Sequence, residues 1–122
     1  MKVTYKGKEL ELWFGPATSY VYEKLTEEPF DESKLMNRTV LIDCFYSDIV
    51  AALKRNNMPI DMKHDEFLFK WLNENGGQKL LNDYAYDLAN QLQIIYDLKI
   101  EENKETTEEE EKKMKVKKNK KS

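Results

Sequence analysis

Polar and apolar positions alternate at the start of the chain. Val3 and Tyr5, then Leu10, Leu12 and Phe14, take every second place on either side of Lys6-Gly7-Lys8. Period-two patterning across a glycine-containing turn predicts a β-hairpin, with Gly15-Pro16 ending its second strand. The rhythm then changes. Tyr20, Val21 and Leu25 stand at helical spacing over residues 17–25, with Thr18 or Ser19 near the expected N-cap. Pro29 interrupts any helix across residues 26–33, and its neighbours Glu27, Glu28, Asp31 and Glu32 predict an exposed acidic loop.

Three longer helices are expected after it. Between Lys34 and Asn56, Leu41, Phe45, Ile49 and Leu53 recur four apart, flanked by Val40, Cys44 and Ala52. That is an amphipathic helix with a wide apolar face, stopped by Asn56-Asn57-Met58-Pro59. Asp61 is placed to cap the next helix, whose stripe is Phe67, Leu68, Trp71 and Leu72 and whose end is Gly76-Gly77. A fourth helix runs from Gln78 to about Glu102, with Leu81, Ala85, Leu88, Leu92 and Ile95 alternating spacings of four and three. This is the rhythm of a helix that packs along a seam, although two heptads are too few for a coiled coil. The expected fold is therefore α+β, an N-terminal β-hairpin followed by about four helices, in one mostly helical domain over residues 1–100.

Charge changes the picture after residue 100. Residues 101–111 hold seven Glu and one Lys, residues 112–122 seven Lys and no acid. With Met114 and Val116 as the only sizeable apolar side chains, residues 101–122 cannot offset the entropy of being ordered, and a disordered charged C-terminal tail is predicted. The body carries 12 basic and 16 acidic side chains, which argues against nucleic acid as a partner. The terminal lysines alone could make only a weak, salt-sensitive and sequence-blind phosphate contact. No apolar run approaches the roughly 20 residues of a membrane span, and the alternating N-terminus is not a signal-peptide core, so no membrane association is expected. A single cysteine, Cys44, excludes an intrachain disulfide framework and a Cys-based zinc site, which suits a cytoplasmic protein.

Candidate chemistry is sparse. His64 is the only histidine and lies in Lys63-His64-Asp65-Glu66, a polar helix start; Ser19, Ser33 and Ser47, the serines that could meet it, lack a nucleophile-elbow setting. Cys44 sits on the apolar side of its helix, where an unactivated buried thiol is expected. Asp43 and Asp48 are five apart and share a helix face poorly. The acidic loop lacks EF-hand spacing, and the glycines at 7, 15, 76 and 77 form no phosphate loop. No catalytic, cofactor-binding or metal residue is assigned. The aromatic residues carry more information, because two Trp, seven Tyr and five Phe exceed what one small core can hide. Tyr46 points about 100° away from Phe45 on its helix. Phe69 and Tyr86 likewise fall off their helices' apolar stripes, and these three are candidate interface residues. Leu81, Leu88, Leu92 and Ile95 are candidates for an interface seam.

These parts resemble one family. The opening Lys2-Val3-Thr4-Tyr5-Lys6-Gly7-Lys8-Glu9-Leu10-Glu11-Leu12, the Phe14-Gly15 pair, several amphipathic helices and a tail ending Lys117-Lys118-Asn119-Lys120-Lys121 are similar to the tail assembly chaperones of long-tailed, siphovirus-like bacteriophages. The resemblance implies a non-enzymatic protein without cofactors that binds the long tape measure protein and assists polymerisation of the tail tube protein around it. It also implies rings or spirals of identical subunits, action in the host cell cytoplasm and absence from the mature virion. Many members exist in two lengths through a ribosomal frameshift, and the terminal lysine and asparagine codons are A-rich enough to be a slippery site. The tail or its frameshifted extension would then recruit the tube protein. No motif carries a binding residue across. The alternatives are a structural head-tail or tail component retained in the particle, a regulator touching DNA through its lysines, and an enzyme dependent on His64 or Cys44.

Overall fold

The computed structural model describes residues 1–93. Contacts group Met1–Ala89 into one unit and Asn90–Ser122 into another. The expected domain boundary at residue 100, the charged tail and Ile95 lie outside the described residues. The hairpin forms as its pattern requires: β1 (Lys2–Tyr5) pairs antiparallel with β2 (Lys8–Glu11), Lys2 opposite Glu11 and Tyr5 opposite Lys8. Lys6 and Gly7 both have positive φ, 48° and 76°, as a tight two-residue turn between right-twisting strands demands. Val3, Tyr5, Leu10 and Leu12 are all buried. The second strand stops at Glu11, short of Phe14, whose ring instead lies 4.8 Å from that of Phe30.

Helix α1 (Pro16–Thr26) begins with proline where no backbone donor is needed. Its N-cap is Gly15, and neither Thr18 nor Ser19 takes that place. Thr18 lies one turn inside, where its Oγ1 accepts the Gly15 N–H at 3.3 Å. The Trp13 ring lies over Gly15 so closely that an added methyl would come within 2.5 Å of it. A 3-10 turn, Glu32–Lys34, interrupts the acidic loop and is capped by Asp31.

Helix α2 (Arg38–Arg55) starts four residues later than Lys34 because Asn37 caps it, accepting the Thr39 N–H at 2.9 Å. It ends as expected at the Asn pair. Asn57 takes a left-handed conformation, φ 53°, and the N–H groups of Asn57 and Met58 return to the carbonyls of Lys54 and Leu53, so the last turn is closed without glycine. Every residue from Cys44 to Leu53 is buried. Over these ten residues the helix is encased on all sides, whereas its ends, Arg38 and Thr39 and then Lys54 and Arg55, are exposed.

Helix α3 opens over His64–Glu66, widens to a π-helix over Phe67–Trp71 and closes over Leu72–Glu74. Asp61 does not cap it. Its carboxylate instead accepts from Tyr5 Oη at 2.6 Å and from Lys6 Nζ, tying the hairpin turn to the segment before α3, and these bonds hold its pKa below the ordinary value. The π turn places Phe67 and Leu72, five apart, on the same buried side, since its hydrogen bonds join residues five apart. Left-handed Gly76 and Gly77 separate α3 from α4, which is helical from 78 to 93. Within the first unit the aromatic core forms around Phe45, whose ring stacks on Tyr84 at 4.2 Å and meets Phe67 and Trp71 edge-on at 5.5 and 6.2 Å.

Candidate functional site

Three groups of side chains outside the plain apolar core bear on function. The first is sealed. Asp48 of α2 is 1% exposed, and its carboxyl accepts from Thr18 Oγ1 of α1 at 2.6 Å and from Tyr84 Oη of α4. Cys44 Sγ lies 3.3 Å from the same Tyr84 hydroxyl. Burial pushes the Asp48 carboxyl and the Tyr84 hydroxyl above their ordinary values and the Cys44 thiol up to about 12. A thiol held protonated inside the core is no nucleophile, which agrees with the expectation for Cys44. The sequence suggests Thr18 for a helix cap and pairs Asp48 only with Asp43, and nothing in it joins Thr18, Asp48 and Tyr84. The signal was present for Tyr84, three after Leu81 and four before Leu88 on the same stripe, but an aspartate among apolar residues reads as solvent-facing until its two hydroxyl partners are seen.

The second group lies at the surface. His64, read from the sequence as part of a polar helix start, is half-buried, with Nε2 at 2.7 Å from Asp43 Oδ1 and its ring 5.2 Å from that of Tyr46. The pair joins the start of α3 to α2. It borders a cleft of about 320 Å³ with Tyr22, Leu25 and Val40 as apolar walls and Glu28 at the rim. Burial first, and then the Asp43 and Glu28 carboxylates, raise the Tyr22 pKa. Among the described residues no serine bonds to this imidazole: Ser47 is buried and donates to the Asp43 carbonyl at 2.7 Å. Among the described residues no group of three or more His, Cys, Asp or Glu side chains is arranged to hold a metal ion.

The third group is an apolar surface. Met36 and Tyr86 are 97% and 75% exposed and, with Asn82, Ala85 and Ala89, line a shallow depression of about 510 Å³ that includes no charged side chain. In a chain of 35% charged residues that is unusual. Of the candidate interface residues, Tyr86 belongs to this surface, and Phe69, 74% exposed, stands out from the π turn of α3. Tyr46 does not belong to any surface. It is buried, and its hydroxyl donates to the Met62 carbonyl at 2.8 Å, because α2 has no solvent side at that level. Leu81 and Leu88 are likewise buried in their own unit, Leu92 is half-buried, and Ile95 lies outside the described residues. The seam is therefore core at Leu81 and Leu88. Met36, which the sequence places at the start of the expected helix from Lys34, stands instead in the turn before α2 and is the most exposed large apolar side chain described.

Among the described residues no helix is long and apolar enough to cross a membrane. No protein-family model, no curated protein and no solved structure matches the chain.

Proposed function

We propose that this chain is a non-enzymatic assembly protein, a tail assembly chaperone of a long-tailed bacteriophage that holds amphipathic helices of the tape measure protein. The observation that carries the reading is the uncharged surface of Met36, Ala85, Tyr86 and Ala89. Exposed apolar side chains around a shallow depression, with small alanines admitting a close backbone, suit a helix docked by its apolar face. The resemblance of the hairpin and tail supplies the client. On this reading the protein works in the host cytoplasm, associates with copies of itself, helps the tube protein assemble and is left out of the mature virion.

Co-expression with the tape measure protein tests it. The wild type is expected to keep that protein in the soluble fraction and to co-purify with it. Met36→Lys combined with Tyr86→Lys, both on exposed positions, should leave the thermal transition intact while weakening capture by about 30-fold, the loss of roughly 2 kcal/mol that a hot-spot residue carries. Failure of the wild type to form any complex would sink the proposal. Recovery of the protein from purified virions would instead favour a structural tail or head-tail component.

A further inference from the structure

The Asp48 cluster joins three helices through one carboxyl group. Thr18 reaches it from α1 and Tyr84 from α4, while Asp48 and Cys44 both belong to α2. Both carboxyl oxygens are occupied by neutral hydroxyls, and among the described residues no cation is bonded to them. Burial opposes the ionised form most strongly; the Thr18 and Tyr84 hydroxyl hydrogen bonds and then the charge of Arg55 of α2 favour it, and Asp87 of α4 opposes it. Arg55 is engaged elsewhere: its guanidinium donates to the Glu11 carbonyl at 3.0 Å and lies 4.6 Å from the Trp13 ring centre. Asp87 faces the N-terminal ammonium of Met1 at 3.3 Å. A fully buried carboxylate without a bonded cation is costly, and a neutral carboxyl is not.

The hydrogen bonds accommodate either state. With Asp48 ionised, Tyr84 Oη donates to Oδ2 and the Cys44 thiol can donate to Tyr84. With a proton on Oδ2, Asp48 donates to Tyr84 Oη, whose hydrogen then turns to Cys44 Sγ, either direction being open to that contact. Thr18 Oγ1 donates to Oδ1 in both. The proton adds to one oxygen, two hydrogens rotate, and every oxygen of the cluster keeps a partner, with only the weak thiol donor of Cys44 released.

We infer that Asp48 is a proton-controlled latch that fastens α1 and α4 to α2 when neutral and loosens them when ionised. The direction of the pH effect follows from linkage. Unfolded Asp48 releases its proton near its ordinary 3.8, whereas burial raises the folded value, so folding takes up a proton between the two. The stabilisation is fully present below 3.8 and is lost as pH rises through the folded pKa. Asp31 and Asp61, whose values are lowered by hydrogen bonds, act with the opposite sign and below that window.

Urea unfolding of the full chain and of Asp48→Asn between pH 4 and 8.5 tests the latch. The amide mimics the neutral acid, its N–H₂ donating to Tyr84 and its carbonyl accepting from Thr18. Relative to the variant, the wild-type folding constant should fall by up to about tenfold per pH unit across the window, the limit for one proton. Cys44 gives a local readout: its alkylation rate, taken as a wild-type to variant ratio at each pH so that thiolate chemistry cancels, should rise by the same factor. A ratio flat with pH overturns the proposal. Should Asp48→Asn fail to fold, carbon NMR titration of Asp48 in the wild type decides, an apparent pKa above 3.8 supporting the latch and one at or below it refuting it.

Discussion

Tyr46 shows how a single side chain can reverse its expected role. Placed about 100° from its helix's apolar stripe, it reads as an outward anchor, yet it is buried with its hydroxyl on the Met62 carbonyl. Tyr46→Phe keeps the ring contacts with Phe67 and His64 and removes only that donor. The buried Met62 carbonyl would then lack its partner, and we expect a loss of about 1–3 kcal/mol in denaturant unfolding. An unchanged midpoint would mean that water replaces the hydroxyl. Asp61 makes the complementary case: a residue expected to cap a helix binds the hairpin turn through Tyr5 and Lys6 instead. Three residues before His64 it stands too far back to be the N-cap, a place Lys63 takes, and Tyr5, distant in sequence, lies within its reach.

Among the elements, α2 has the clearest local logic at its ends and the least in its middle. Asn37 sets its start by accepting two backbone N–H groups, at Thr39 and Val40. Asn37→Ala should cost about 1 kcal/mol, lowering Tm by roughly 4–8 °C for a unit of this size, while Asn37→Asp should retain most of the stability. Equal losses in both variants would assign the effect to something other than capping. The buried run from Cys44 to Leu53 has a different origin, since no window of sequence tells a helix how many neighbours it will have. The π turn of α3 is similar. Phe67, Trp71 and Leu72 read as one stripe, but it is the widening that aligns Phe67 with Leu72, with the Phe67 ring against Phe45 and Tyr46 of α2.

For the molecule as a unit, the aromatic cluster is the common support. Phe45 touches rings from α3 and α4 at once, so Phe45→Ala should cost about 3–5 kcal/mol, a large part of the roughly 5–15 kcal/mol that holds such a domain folded. Loss of the near-ultraviolet circular dichroism signal together with the far-ultraviolet signal, in one transition at a lower denaturant concentration, is the expected result. Separate transitions would show that the hairpin and helices fold independently of this cluster. The surface of Met36 and Tyr86 is carried on this support without contributing to it, which is why its substitution can be read as binding and not as unfolding.

The hairpin, its turn, the stop of α2 and the glycine break before α4 were legible along the chain. Each depends on short-range rules: period-two alternation, positive φ in a two-residue turn, and left-handed closure of a helix end. Cys44 could be assigned to the interior for the same reason, from its place on a stripe. The Asp48 cluster, the inward turn of Tyr46, the Asp43–His64 pair and the isolation of Met36 beside Tyr86 depended on residues far apart in sequence meeting in space. Burial and hydrogen bonding are decided by all the neighbours of a group together. A linear pattern reports at most the neighbours on its own helix or strand.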